Sequence, residues 1–159
     1  MTEMNLFLIG TSHTLQMGLL DAPKDCYGEF KGMVRQVAQN NAVKTIGEEM
    51  GEELLVNTIS LCKEVAKELG ITHIFCDPSK AEREALNIPE IDDCPITWSP
   101  RENEWLNRLN GARFPILFVC GANHVDSFSK KCDDKGFAVT VIERDWEPLQ
   151  LTPLEYRLI

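Results

Sequence analysis

Pro115-Ile-Leu-Phe-Val-Cys-Gly-Ala-Asn-His124 places an unbroken apolar run directly before a glycine and a histidine. An apolar run of this length that ends at a turn residue is typical of a buried strand. Glycine permits a sharp backbone turn, so a histidine three residues later can project above the end of the strand. The same arrangement occurs near the start of the chain, where Leu6-Phe-Leu-Ile9 precedes Gly10-Thr-Ser-His13. The repeated Gly-x-x-His pattern predicts one site built from both ends of the chain.

Strand-like runs alternate with helix-like patterns between these two stretches. Strands are predicted at residues 6–9, 42–46, 71–76, 115–120 and 137–142. Helices are predicted around 30–38, at 52–69, from a capping box at Ser79, from Ser99 to about 110 and over 125–135, with an irregular connection at 87–98. This alternation predicts one α/β domain over residues 1–159, with a mainly parallel sheet of about five strands and helices on both faces. The core is expected at about residues 5–142, and the tail at 143–159 has no assigned structure.

The composition limits the classes of partner. The chain has 159 residues, of which 43% are hydrophobic, and 16 basic against 25 acidic residues give a net charge of −9. Such a surface is repelled by phosphate backbones and anionic lipids, so nucleic acid and membranes are not expected as partners. Neither a signal-peptide pattern nor an apolar run of the ~20 residues that span a bilayer is present. We expect a cytoplasmic protein and keep a homodimer as the candidate assembly.

The six cysteines, at positions 26, 62, 76, 94, 120 and 132, form no Cys-x-x-Cys pair. Most lie in apolar runs, which favours reduced, buried thiols in a cytosolic protein. A thiol nucleophile at Cys120, next to the second Gly-x-x-His, is the functional alternative.

Polar residues fall at or just beyond the carboxyl ends of the predicted strands, which is where parallel α/β sheets bind their ligands. They are His13, Glu48, Glu49, Asp77 and His124. Histidine with carboxylate is ligand chemistry for divalent transition metals, and a bound ion generates a nucleophilic water at neutral pH. We expect metal ligands among His13, Glu49, Asp77 and His124, with Mn, Zn or Co as the ion. An acid–base site without metal is the alternative.

Each candidate also has a structural interpretation. The histidines can hydrogen-bond loops, and Asp77 can be a turn residue before Pro78. Glu48 and Glu49 can open a solvated acidic turn, and the spacing does not choose between them as metal ligand or general base.

The sequence Ser99-Pro-Arg-Glu102 predicts a helix start, with Glu102 as the capping-box residue. At such a helix N-terminus Arg101 would hold a substrate carboxylate or a developing oxyanion, and a plain surface arginine is the alternative. His73 lies inside the third predicted strand and is interpreted as a satisfied core histidine. The Gly-x-Ser-x-Gly elbow, the dinucleotide fingerprint and the P-loop pattern are absent from the sequence.

The motifs, taken in order over about residues 6–142, resemble the TraB/TIKI/GumN group of the superfamily that includes erythromycin esterases and ChaN-like proteins. The matching stretches are Ile9-Gly-Thr-Ser-His13, Ile46-Gly-Glu-Glu49, Cys76-Asp-Pro78, Arg101-Glu-Asn-Glu-Trp-Leu106 and Val119-Cys-Gly-Ala-Asn-His124. The resemblance implies that His13, His124 and one of Glu48 and Glu49 bind a divalent ion or activate water, and that Arg101 stabilises the oxyanion. The chain lacks the helical insertions that shape substrate pockets in larger members, which leaves the substrate open.

Together these observations predict a metal-dependent hydrolase that uses activated water on a small-molecule or peptide substrate, namely an ester, an amide or peptide, or a phosphate. The rival prediction is a non-catalytic binding or interaction protein with the same fold. It suits the acidic composition and the missing insertions.

Overall fold

The computed structural model describes residues 3–16, 24–54, 59–89 and 95–149. The strands are β1 (Asn5–Thr11), β2 (Thr45–Glu48), β3 (Thr72–Phe75), β4 (Ile116–Gly121) and β5 (Ala138–Trp146). The helices are α1 (His13–Gln16), α2 (Lys24–Asn40), α3 (Leu61–Leu69), α4 (Lys80–Ala85), α5 (Pro95–Leu109) and α6 (Val125–Asp134). Short 3₁₀ turns occur at Glu52–Leu54 and Ala122–His124. None of the described helices is long and apolar enough to cross a membrane.

The five strands form one parallel sheet in the order β3-β2-β4-β1-β5, which confirms the predicted α/β fold. β1 and β4 are neighbours, and their register pairs Gly10 with Cys120 and Thr11 with Gly121. The two Gly-x-x-His stretches therefore leave adjacent strands at the same edge of the sheet. Parallel neighbours lie ~4.8 Å apart, so the backbones that carry the two histidines start close together.

Buried side chains pack on both faces of the sheet, because successive residues of a strand point to opposite sides. In β4, Leu117 and Val119 join a cluster with α2 and α3, whereas Phe118 and Cys120 join a cluster with α5 and α6. Helices thus cover both faces, as the alternating sequence pattern predicts.

The predicted helix at 52–69 begins too early, since Glu52–Leu54 is a 3₁₀ turn and α3 begins at Leu61. Ser60 has extended backbone angles and its hydroxyl accepts a hydrogen bond from the Lys63 N–H, so it is the N-cap. The end of the helix is as predicted, because Gly70 adopts φ +69° in a left-handed C-cap.

Helix α5 begins at Pro95, so the predicted start at Ser99 and the irregular connection through Trp98 are wrong. Pro100 lies inside the helix and leaves the carbonyl of Ile96 without its helical donor. Ile96 is 72% exposed, so water can satisfy that carbonyl. The earlier start brings Trp98 onto the face that carries Trp105 two turns later. Packing of Trp98 and Trp105 against His124 outweighs the local preference of Ser99-Pro100 to start a helix.

β5 extends to Trp146, so residues 143–146, which the sequence left unassigned, belong to the sheet. Register shifts beside Ile9 let β5 follow β1 as far as the pairing of Thr11 with Trp146, and the Thr11 hydroxyl donates to the Trp146 carbonyl at 3.0 Å. Residues 143–145 are exposed and charged, which is why the apolar pattern ended too early. The predicted strand at 42–46 is likewise shifted to Thr45–Glu48.

Candidate functional site

The structure brings four of the predicted site residues into one buried network at the carboxyl edge of the sheet: Glu49, Asp77, Arg101 and His124. Glu49 directly follows β2, Asp77 follows β3, and His124 ends the turn after β4, whereas Arg101 reaches the edge from α5. Glu48 points to the opposite face. The side chain of His13 lies outside the described residues.

The Arg101 guanidinium lies between two carboxylates. Its Nη2 donates to Glu49 Oε2 at 2.5 Å and its Nε donates to Asp77 Oδ1 at 3.0 Å. Asp77 also accepts from Trp105 Nε1 at 2.9 Å and from Arg83 Nη2 at 2.6 Å. Arg101 is therefore neither a surface arginine nor at a helix N-terminus, since it is buried in the second turn of α5.

These contacts set the ionisation of Asp77. Burial raises the pKa of its carboxyl, but the charge of Arg101, with hydrogen bonds from Arg101 and Trp105, outweighs burial and leaves the pKa below its ordinary value. For Arg101, burial lowers the pKa, whereas Asp77 and Glu49 raise it further, so the net pKa lies above its ordinary value. The ion pair is therefore charged at neutral pH.

His124 has carboxylates near both ring nitrogens. Its Nδ1 lies 2.8 Å from Glu102 Oε2, which also accepts from the Ser127 hydroxyl at 2.6 Å. Its Nε2 lies 3.4 Å from Glu49 Oε2. The hydrogen bond at Nδ1 fixes the orientation of the imidazole and directs Nε2 towards the network around Glu49. Glu102 is fully buried, so its prediction as a capping-box residue is wrong.

Two tryptophans of α5 pack against the His124 ring, with ring centroids 5.0 Å away for Trp98 and 4.9 Å away for Trp105. Trp98 Nε1 and Glu102 Oε1 are buried and have no hydrogen-bond partner among the described residues. They lie one helical turn apart, a donor and an acceptor beside the same histidine. Buried polar atoms are rarely left unpaired in proteins, so these two atoms are candidates for contact with a ligand group.

Glu48 forms a separate network on the α3 face. It accepts hydrogen bonds from Gln16 Nε2 at 3.2 Å and from the Ser60 hydroxyl, and its Oε1 lies 2.7 Å from His73 Nε2. These partners come from α1, the N-cap of α3 and β3. His73 is thus a satisfied histidine, as expected, but its partner is one of the candidate glutamates.

The thiols beside these networks are poor nucleophiles. Burial raises the pKa of the Cys120 thiol well above its ordinary value, and the charges of Glu49 and Glu102 raise it further. Burial and the charge of Glu48 do the same for Cys62. The thiolate is the reactive form, so Cys120 fits packing rather than catalysis. Five cysteines are free and buried in the described chain, and Cys94 lies outside it.

The described members of the predicted metal set do not fit a metal ion in this arrangement. Both oxygens of Asp77 accept from arginines, and Arg101 bridges Asp77 to Glu49, so a cation already lies between these carboxylates. No group of three or more His, Cys, Asp or Glu in the described residues is arranged to hold a metal. The set that includes His13 stays a prediction.

Glu102, Trp98 and Trp105 are neighbours of His124 that were not predicted from the sequence. Their spacing of four and then three residues is the signal that was available, because it places all three on one helix face. The Ser-Pro pair at 99–100 instead suggested a helix start, which placed Trp98 outside the helix and therefore off that face. We compared the chain with protein-family models, curated proteins and solved structures, and none matches it.

Proposed function

We propose that this protein is a hydrolase of small amides, peptides or esters in which His124 accepts the proton of a water that attacks the acyl carbon. The bond to the leaving amine or alcohol then breaks, His124 returns the proton to that leaving group, and the acyl group leaves as the carboxylic acid. The Glu102–His124 pair carries the proposal. A buried carboxylate bound at Nδ1 holds an imidazole in the tautomer and orientation in which Nε2 can act as a general base. In this proposal Glu102 positions His124, and Arg101 holds Glu49 and Asp77 in place.

The charges of the site favour an uncharged substrate group. Three buried carboxylates, Glu49, Asp77 and Glu102, lie in this site, whereas the described arginines that pair with them are Arg101 and Arg83. A phosphate would be repelled by the excess negative charge, and an ester or amide would not. We therefore narrow the predicted substrates to esters and amides, including peptides.

The donor and acceptor beside His124 favour an amide over an ester. A substrate amide offers a carbonyl to accept from Trp98 Nε1 and an N–H to donate to Glu102 Oε1, whereas an ester offers only acceptors. His124 is 2% exposed and Trp98 is half-buried against it, so in this proposal the Trp98 side chain moves to admit substrate.

The proposal is tested with matched p-nitroanilide and p-nitrophenyl ester substrates of one short acyl group. His124→Gln should lower kcat/KM about 10²-fold or more, the usual contribution of a general base. Glu102→Gln should lower kcat and alter the pH profile. Trp98→Phe should raise KM for the anilide more than for the ester.

His73→Gln is the matched control, because it alters the other histidine–glutamate pair on the opposite face of the sheet. Its activity should equal that of the wild type. Equal activity of the wild type, His124→Gln and Glu102→Gln would contradict the proposal.

A non-catalytic binding protein is the second candidate, and a specific observation favours it. The charged groups of the site largely satisfy one another, and His124 is almost inaccessible. Absence of hydrolysis together with a thermal midpoint that rises with simple amides such as N-methylacetamide would support this function over the hydrolase.

A further inference from the structure

We propose that the outer edge of β3 pairs with the same edge of a second copy of this chain, joining two five-stranded sheets across a two-fold axis. In the described sheet β3 pairs only with β2. The N–H groups of Thr72 and Cys76 donate to the carbonyls of Lys44 and Glu48 on the β2 side. Backbone groups alternate along a strand, so those of His73 and Phe75 point away from β2.

The two edges of the sheet differ in how they are protected. β5 carries register shifts and an exposed Glu143-Arg144-Asp145 segment, which are devices that discourage pairing with another strand. β3 reads Thr-His-Ile-Phe and carries no bulge, proline or lysine. A regular edge strand of this kind is a template for a further strand.

Two open grooves, each of about 390 Å³, border β3, and both are lined by Glu52, His73 and Phe75. The α3-face groove is also lined by Lys63 and Lys67, and the other groove by Ile74 and Arg108. Arg108 Nη1 donates to the Phe75 carbonyl at 3.3 Å, but a carbonyl has a second lone pair for an incoming donor. The edge therefore has room for a strand beside it.

Two copies of the β3 edge can form a regular antiparallel pair with each other. A two-fold axis beside Ile74 places His73 of one copy opposite Phe75 of the second copy, and each such antiparallel pair exchanges two backbone hydrogen bonds. The His73 and Phe75 rings already meet edge to face on the α3 side, with centroids 4.5 Å apart. Pairing brings the rings of both copies into one cluster of four, and cross-strand aromatic pairs stabilise a sheet.

The charges at the two ends of the edge also match under this operation. Both Glu52 and Lys67 line the α3-face groove and are exposed. Lys67 is near the end of α3, which leads into the start of β3, whereas Glu52 follows β2 at the carboxyl edge. Antiparallel pairing exchanges the two ends, so Lys67 of each copy meets Glu52 of the other. This complementarity selects a second copy over an unrelated strand.

The test is sedimentation velocity of the full chain over a range of concentrations. The wild type should show a monomer–dimer equilibrium. Lys67→Glu and Glu52→Lys should each raise the dimer Kd about tenfold or more, because each creates two like-charge contacts per dimer. The double exchange Lys67→Glu/Glu52→Lys should restore the wild-type Kd.

Lys130→Glu is the control variant, since it reverses an exposed charge on α6, away from β3. It should leave the dimer unchanged, and circular dichroism should show all variants folded. A wild type that stays monomeric at every concentration overturns the proposal. The β3 edge would then be a candidate to pair with an extended segment of a different chain. Loss of dimer in the double exchange as well as in the single variants also overturns it.

Discussion

Glu48 and Glu49 are adjacent in sequence but enter hydrogen-bond networks on opposite faces of the sheet. Glu48 meets Ser60 and His73 on the α3 face, whereas Glu49 meets Arg101 and accepts from the Gly121 N–H at 2.8 Å on the α5 face. Successive side chains of an extended chain point in opposite directions, which is the cause of this division. The sequence did not distinguish the two glutamates as candidate site residues. In the structure Glu49 belongs to the site with Arg101 and His124, and Glu48 belongs to the separate network with His73.

Loss of the central cation should be severe. We expect Arg101→Met to lower the free energy of unfolding by about 3–5 kcal/mol, because it leaves the buried carboxylate of Glu49 without a cation and that of Asp77 with Arg83 alone. Arg35→Met is the control, since its pair with Glu68 is solvent-exposed and should cost far less stability. Urea denaturation measures both. Equal costs for the two variants would refute the assigned role of Arg101.

Asp77 should contribute to stability against acid. Its pKa in the folded protein lies below the ordinary value, so its contribution is complete at neutral pH and is lost as pH falls through about 4, the usual unfolded value, towards the lower folded pKa. Asp77→Asn should therefore be less stable than wild type at pH 7, with the difference shrinking on acidification. Urea midpoints across the acid range measure this. A difference that is constant with pH would show that the ion pair does not supply it.

Gly10 should not tolerate a side chain. A Cβ built there would lie 2.1 Å from the Arg144 carbonyl and 2.5 Å from Val125 Cγ2, because β5 passes close to β1. We expect Gly10→Ala to cost at least about 1–3 kcal/mol, measured as a fall in the thermal midpoint. Gly28→Ala, in the exposed interior of α2 with nothing within 4 Å of its Cβ, should instead stabilise by about 0.5–1 kcal/mol. A neutral Gly10→Ala would disprove the close approach.

The buried thiols should be unreactive in the native protein. Burial raises the pKa of Cys132 to about 12, and the thiols of Cys62, Cys76 and Cys120 are also shifted upwards. At pH 8 we expect Ellman's reagent to label Cys94 at most before unfolding, and all six cysteines in denaturant. Rapid native labelling of Cys120 would reopen its role as a nucleophile.

The effect of divalent ions on the thermal midpoint tests whether His13, Glu49, Asp77 and His124 bind a metal ion. Because Arg101 already lies between Glu49 and Asp77 and pairs with both, we expect Mn, Zn, Co and EDTA to leave the thermal midpoint unchanged. A ligand that binds only the folded state must raise the midpoint. A rise that His13→Ala and His124→Ala both abolish would instead establish the predicted metal site.

Local signals predicted elements well where the signal and the packing agree. The capping box at Ser79–Glu82 begins α4, and Gly70 ends α3, because both depend on atoms only a few residues apart. The start of α5 could not be predicted in this way. Its first turn is held by packing of Trp98 against His124, which is distant in sequence.

The sequence by itself determined the α/β fold and the placement of polar residues at the carboxyl edge of the sheet, because hydrophobic period and turn residues act locally. Only the tertiary structure decided the partners of those residues. Arg101 pairs with two carboxylates that follow different strands, and Glu102 holds His124 instead of capping a helix. The physical reason is that a buried charge must be paired, and its partner is whichever group the packed helices and strands bring within reach.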